Sequence, residues 1–311
     1  MRDEKPLQPK FWVKLRPTLH LLGAVLVLFG SGCFSGKKRD AGLTSEPSIE
    51  RALEALRNTP SGRQVTDFLH KKPVLFEYSN TPGRCHKFSL RTGRIFLPRE
   101  LKDSDTLLTL ALARAAYIYR LSALSGLEEL VSEEEEAGAL FQARVAVELG
   151  LTNADLARDK SARELRSDFC AYLMQGSGAA ALAARNEALS LEPDCQRPLE
   201  TLQSRKVWLD DMREAINNGS FFQLLYERDR ARVRKGIITM NAAMKSEAAI
   251  KAMPTYEIYR YQRSFYDDQS GVFSRIERLY RDSLREDEAW RRTNRAALER
   301  AREEFSGCGL P

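Results

Sequence analysis

The sequence predicts a helix-dominated α+β fold, mainly α with a small antiparallel β element near the N-terminus. Three observations carry this. Beyond Pro98, apolar residues recur at helical spacing almost to the end of the chain. Between residues 74 and 97, three short β-prone runs are separated by turn pieces. The composition, 43% hydrophobic and 30% charged over 311 residues, is that of a soluble globular protein. It excludes a polytopic membrane protein and a wholly disordered one. The formal charge is +6, but the first 32 residues hold five basic and two acidic groups. The remainder, 44 basic against 41 acidic, gives no electrostatic case for a nucleic-acid partner.

The elements follow in order. Ile49, Leu53 and Leu56 recur at helical spacing, and Thr59-Pro60 closes that helix. A second short helix is expected across Arg63–His70. The β-prone runs are Val74–Tyr78, Cys85–Leu90 and Arg94–Leu97, read as one antiparallel sheet. Leu107–Leu124 is apolar on nearly every side and interrupted by Arg114 and Arg120. Two arginines argue against a membrane span, so this is a central buried helix. Ser125-Gly126-Leu127-Glu128 reads as a capping box opening the next helix, which stops at Gly150. A two-residue turn makes these two helices antiparallel neighbours. Further helices are expected from Ser161, at 178–191, 196–217 and 220–250, and, after Pro254, at 255–266 and 271–305. In the last, Ile276, Tyr280, Leu284, Leu298 and Phe305 trace a stripe. The chain divides as 1–32 leader, 33–47 flexible tether, 48–150 α+β region and 151–311 helical region.

Residues 1–18 form a basic n-region, and Leu19–Phe29 is an apolar run of 11 residues. That is too short to span a bilayer and suits a signal-peptide core. Gly30-Ser31-Gly32-Cys33 follows. It resembles the bacterial lipoprotein lipobox, with Gly30 where Leu is usual. The resemblance implies lipidation of Cys33 and a membrane-anchored protein of the cell envelope. Phe34 in place of Asp points to the outer membrane, facing the periplasm. The alternatives are a plain signal peptide or an uncleaved anchor. Four cysteines remain after Cys33: Cys85, Cys170, Cys195 and Cys308. Export permits two disulfides. Cys170 and Cys195 flank neighbouring helical segments and are the preferred pair, with Cys85 and Cys308 the second. Buried free thiols and zinc ligation are the other readings.

Catalytic motifs are scarce. Only His70 and His86 lie beyond the leader, and H-E-x-x-H, G-x-S-x-G, Walker and Rossmann patterns are absent. Cys85 and His86, adjacent in a strand, point to opposite faces and make no nucleophilic pair. The order of elements over residues 60–150 nevertheless resembles a class of bacterial zinc metallopeptidases. In these a T-x-x-I-x-L strand precedes a helix with L-A-H-E-x-x-H, and the next helix supplies an acidic ligand near a Gln-Ala pair. Here Thr92, Ile95 and Leu97, then Leu112-Ala113, then Gln142-Ala143, stand at those places. The same matching puts Arg114 and Ile118 at the two histidine positions and Ala115 at the catalytic glutamate. None can ligate zinc or act as a base. The resemblance therefore implies a pseudoenzyme scaffold with no metal and no cofactor.

Glu133, Glu134, Glu135 and Glu136 sweep all faces of a helix, and a mostly solvated run is the default. The sharper expectation is that Arg114 or Arg120 meets one of them and fills the place of the missing metal. Tyr256–Tyr266 interleaves aromatics with arginines; helix packing comes first, and a glycan or partner surface second. The functional expectation is a lipid-anchored, non-catalytic scaffold or partner-binding module, its partner an envelope protein or cell-wall glycan. The alternative is an envelope hydrolase using carboxylates without the usual zinc motif.

Overall fold

In the computed structural model, residues 42–80, 87–89, 93–126, 131–157, 162–175, 200–234 and 238–307 are described. Two prolines start the fold. Pro47 opens α1 (Pro47–Asn58) and Pro60 opens α2 (Pro60–Lys71), each at the first helical position, where the missing N–H costs nothing. Thr59 separates them, accepting from the Gly62 N–H at 3.0 Å and donating to the Leu56 carbonyl at 2.8 Å. The turn is so tight that a Cβ on Gly62 would sit 2.1 Å from the Leu56 carbonyl oxygen. Ile49, Leu53 and Leu56 are fully buried, as their spacing predicts.

Three strands follow: β1 (Leu75–Tyr78), β2 (Lys87–Ser89) and β3 (Arg94–Leu97). Their order is β1-β3-β2, and here the structure corrects the sequence reading. β2 and β3 pair antiparallel, but β1 pairs with β3 in parallel, Phe76 beside Ile95 and Tyr78 beside Leu97. The sheet is therefore mixed, not antiparallel. Strands this short carry an alternating pattern that fixes which face is buried, not which neighbour is paired.

Helices make the rest of the described fold. Ser104 caps α3 (Asp105–Ser125), accepting from the Leu107 N–H. α3 is long and apolar enough to cross a membrane, yet two thirds of its apolar window (67%) is buried within the protein. Ser125 is the last residue of this helix, and Gly126, at φ 79°, is its left-handed cap. The expected capping box is thus a helix end. α4 (Ser132–Glu148) starts later, with the Glu134 carboxylate accepting from the Val131 N–H at 3.2 Å. α3 and α4 run antiparallel: Ser122 meets Glu134, Ile118 faces Gly138, and Tyr117 stacks on Phe141 with ring centroids 4.4 Å apart. A Cβ at Gly138 would lie 2.7 Å from Ile118 Cγ1, so the two backbones approach as closely as they do because this residue is glycine.

α5 (Asn153–Ala157) and α6 (Ala162–Gln175) lead to α7 (Leu202–Asn218). The helix expected at 220–250 is two, α8 (Phe221–Arg234) and α9 (Met240–Lys251), the second capped by Thr239. The two helices expected after Pro254 are one, α10 (Thr255–Thr293), of 39 residues and about 58 Å. Gly271 does not interrupt it; the break falls at Asn294, before α11 (Arg295–Glu304). α10 joins two cores. Val272, Ile276, Leu279, Tyr280, Leu284 and Trp290 belong to the larger core with the sheet, α1–α4 and α6. Tyr261, Phe265 and Tyr266 pack against Leu209, Met212, Phe221, Leu225 and Ile250 in a smaller one. Residues on both sides of Gly150 share the larger core, and residues 39–311 form one compact unit. The leader and most of the tether, the 178–191 helix, Cys33, Cys85, Cys195 and Cys308 lie outside the described residues.

Candidate functional site

α4 places its glutamates in turn around one helix circumference, about 100° per residue. The expectation of a solvated run is overturned: Glu133, Glu134, Glu135 and Glu136 are 9%, 0%, 5% and 5% exposed. α4 is enclosed on every side there, so each carboxylate finds a different partner. Glu133 accepts from the Leu202 N–H at 2.9 Å, at the N-terminus of α7, where helix donors lack partners and negative charge is favoured. Glu134 accepts from the Ser122 hydroxyl at 2.8 Å and from the Val131 N–H. Burial pushes its carboxyl up to about 8, against those two hydrogen bonds. Glu135 takes the Arg114 guanidinium, Nη2 at 3.1 Å and Nε at 3.2 Å from the same oxygen. Glu136 accepts from the Tyr280 hydroxyl of α10 at 2.6 Å.

Of the two arginines weighed from sequence, Arg114 makes the pair. Arg120 lies over the Tyr117 ring, 5.6 Å from its centroid, and its buried Nη1 has no hydrogen-bond partner among the described residues. Ala115 is fully buried and Ile118 packs on Gly138. The two positions matched to metal-binding histidines therefore do face α4, where they meet an ion pair and a glycine. Among the described residues, no group of three or more His, Cys, Asp or Glu side chains converges to hold a metal ion.

The polar layer extends further than the sequence disclosed. Glu148, at the far end of α4, accepts from the Ser61 N–H at 3.0 Å, the Ser61 hydroxyl at 2.6 Å and Trp290 Nε1 at 2.8 Å. Like Glu133, it sits at a helix N-terminus, that of α2. Tyr172 donates to Asp287 at 2.9 Å, and burial raises both groups above their ordinary values. Tyr117 donates to Ser283 at 2.9 Å. Tyr280, Ser283, Asp287 and Trp290 recur three or four residues apart on α10. That spacing was legible, but a polar side chain at a helical interval reads as a surface residue until its helix is known to be covered. Cys170 is disulfide-bonded.

The Tyr256–Tyr266 stretch splits by face. Tyr261 and Phe265 join Phe221 and Trp208 in the smaller core, edge to face in most pairs. Tyr256 and Tyr259 are 73% and 65% exposed. A surface cleft of about 270 Å³ between α7 and α8 is lined in part by Asp211, Glu214 and Glu227, with no His or Cys to complete a catalytic group. No protein-family model, curated protein or solved structure matches the chain.

Proposed function

We propose that the protein is a lipid-anchored component of the cell envelope, held through Cys33 at the outer membrane and facing the periplasm. It acts there as a non-catalytic scaffold that binds a partner. One observation carries the non-catalytic half. The carboxylates that a hydrolase would need, Glu133–Glu136, are buried, and each is engaged by a different residue, Glu133 at α7, Glu134 and Glu135 at α3 and Glu136 at α10. A catalytic carboxylate must reach substrate, and Glu134, with its raised protonation range, is fully enclosed. The anchor half rests on the leader, its 11-residue apolar run and Gly30–Cys33.

The test is metabolic labelling with a clickable palmitate analogue in a Gram-negative host, followed by intact-mass analysis. Wild-type protein should carry the label on an N-terminal Cys33 and stay with the membrane fraction, and Cys33→Ser should do neither. An unmodified Cys33, or a chain still beginning at Met1, would contradict the anchor. Stoichiometric zinc in the purified protein would contradict the scaffold.

A further inference from the structure

Charge in this chain is unevenly placed. Residues 230–263 hold eight basic and two acidic side chains, a net +6 that equals the formal charge of all 311 residues. The rest of the chain is balanced. These residues run from the end of α8 through α9 and the Pro254 turn into the first turns of α10.

Among the described residues, the same segment carries four of the seven large apolar side chains left in solvent. Met240 and Met244 on α9 are 57% and 62% exposed, and Tyr256 and Tyr259 on α10 are more so. Their placement is orderly. On α9, Ile250 turns inward to the smaller core, while Met240, Met244, Ala248 and Lys251 fall within an arc of about 80°, with the exposed Lys245 about 60° beyond its edge. On α10, Tyr261 and Phe265 turn inward, while Tyr256, Tyr259, Arg260 and Arg263 fall within an arc of about 100° on the opposite side. Each helix thus presents apolar side chains interleaved with cations on its outward face.

We infer that the α9–α10 tip docks on an anionic phospholipid surface, with Met240, Met244, Tyr256 and Tyr259 entering the headgroup boundary and Lys245, Arg260 and Arg263 meeting lipid phosphates. This names the partner chemistry of the scaffold proposed above. Apolar side chains that bury shallowly among cations that reach lipid phosphates suit the interface of an anionic bilayer. Tyrosine suits that depth, with an apolar ring and a polar tip. Flexible methionines adapt to an irregular apolar medium. Nucleic acid would satisfy the charge and the tyrosines but offers nothing to two exposed methionines. A second copy of the chain would bring the same positive charge to the contact.

The test is flotation of residues 39–311, which form one compact unit, with vesicles of equal parts phosphatidylglycerol and phosphatidylcholine. Wild-type protein should float with these and not with phosphatidylcholine alone. Lys245→Gln, Arg260→Gln and Arg263→Gln together should weaken binding about 100-fold, near fivefold per cation. Met240→Ser, Met244→Ser, Tyr256→Ser and Tyr259→Ser together should weaken it at least about tenfold. All seven positions are exposed, and an unchanged circular dichroism spectrum and melting midpoint confirm the fold. Equal binding to both vesicle types, or wild-type binding by either variant, overturns the proposal. So does protein that ignores vesicles and instead binds a single-stranded RNA homopolymer or sediments as a dimer. The fragment lacks Cys33, so this result stands apart from the fate of the lipid anchor.

Discussion

Around α4, arginine and glutamate meet inside the protein; at the turn between α9 and α10, arginine and lysine meet solvent. The two regions are built from similar residue types, and burial decides what those residues do. Glu135 at 5% exposure needs Arg114, because a buried carboxylate without a partner is costly. Lys251 pairs with Glu247 at 2.6 Å, but on a helix surface in water such a pair contributes little. The comparison assigns stability to the first region and recognition to the second. Mutations in the first should unfold the protein, and mutations in the second should leave it folded.

The largest expected effect belongs to the ion pair. Arg114→Ala leaves Glu135 buried beside a void and should cost about 3–5 kcal/mol in urea unfolding. Arg120→Ala, which removes a guanidinium resting on Tyr117, should cost no more than about 1 kcal/mol. Equal losses from the two would erase the distinction drawn between them. Next comes Gly138→Ala, whose added methyl would meet Ile118 at 2.7 Å and 2.9 Å. Prising α3 from α4 should cost about 1–3 kcal/mol.

A smaller and pH-dependent effect comes from Glu134. Its carboxyl titrates at about 8 in the fold against 4.5 for the free side chain. The native state therefore holds a proton that the unfolded chain releases between those values. Its contribution to stability is fully present below about 4.5 and lost as pH rises toward 8, at up to about 1.4 kcal/mol per pH unit. Glu134→Gln keeps an acceptor for the Ser122 hydroxyl and cannot lose a proton, so unfolding midpoints measured from pH 5 to pH 8 should show that slope flattened. A slope unchanged by the substitution would mean that another group causes it. The smallest effect on stability is expected at the tip, where Tyr256→Ser or Met244→Ser should stay within about 0.5 kcal/mol of wild type.

How far the sequence disclosed these features follows from what each depends on. Helices with an apolar stripe or a cap were legible: α1 through Ile49, Leu53 and Leu56, α3 through a run apolar but for its two arginines, the stop at Gly150; Pro60, read as closing α1, instead opens α2 three residues before the expected start. Pairing and boundaries set by tertiary packing were not. The parallel partner of β1 lies beyond β2 in the chain, and nothing in four residues announces it. Asp267 to Ser270 looks like a loop by composition, yet α10 runs through it with flanking turns packed on both cores. The glutamate run was hardest, since four charges in a row read as solvated unless every side of the helix is covered. Arg114 and Arg120 were legible as residues needing partners, because they interrupt the most apolar of the described helices, but which of them meets a glutamate was not.

The central claim is that a buried Arg–Glu brace holds α3 to α4. A double-mutant cycle of Arg114→Met and Glu135→Gln, read by urea unfolding at neutral pH, tests it most directly. The account predicts that each single substitution is strongly destabilising and that the double variant recovers at least about 2 kcal/mol of the summed loss, since removing both charges leaves neither stranded. Losses that add to within about 0.5 kcal/mol would show that the two side chains act independently, and the brace would not exist as described.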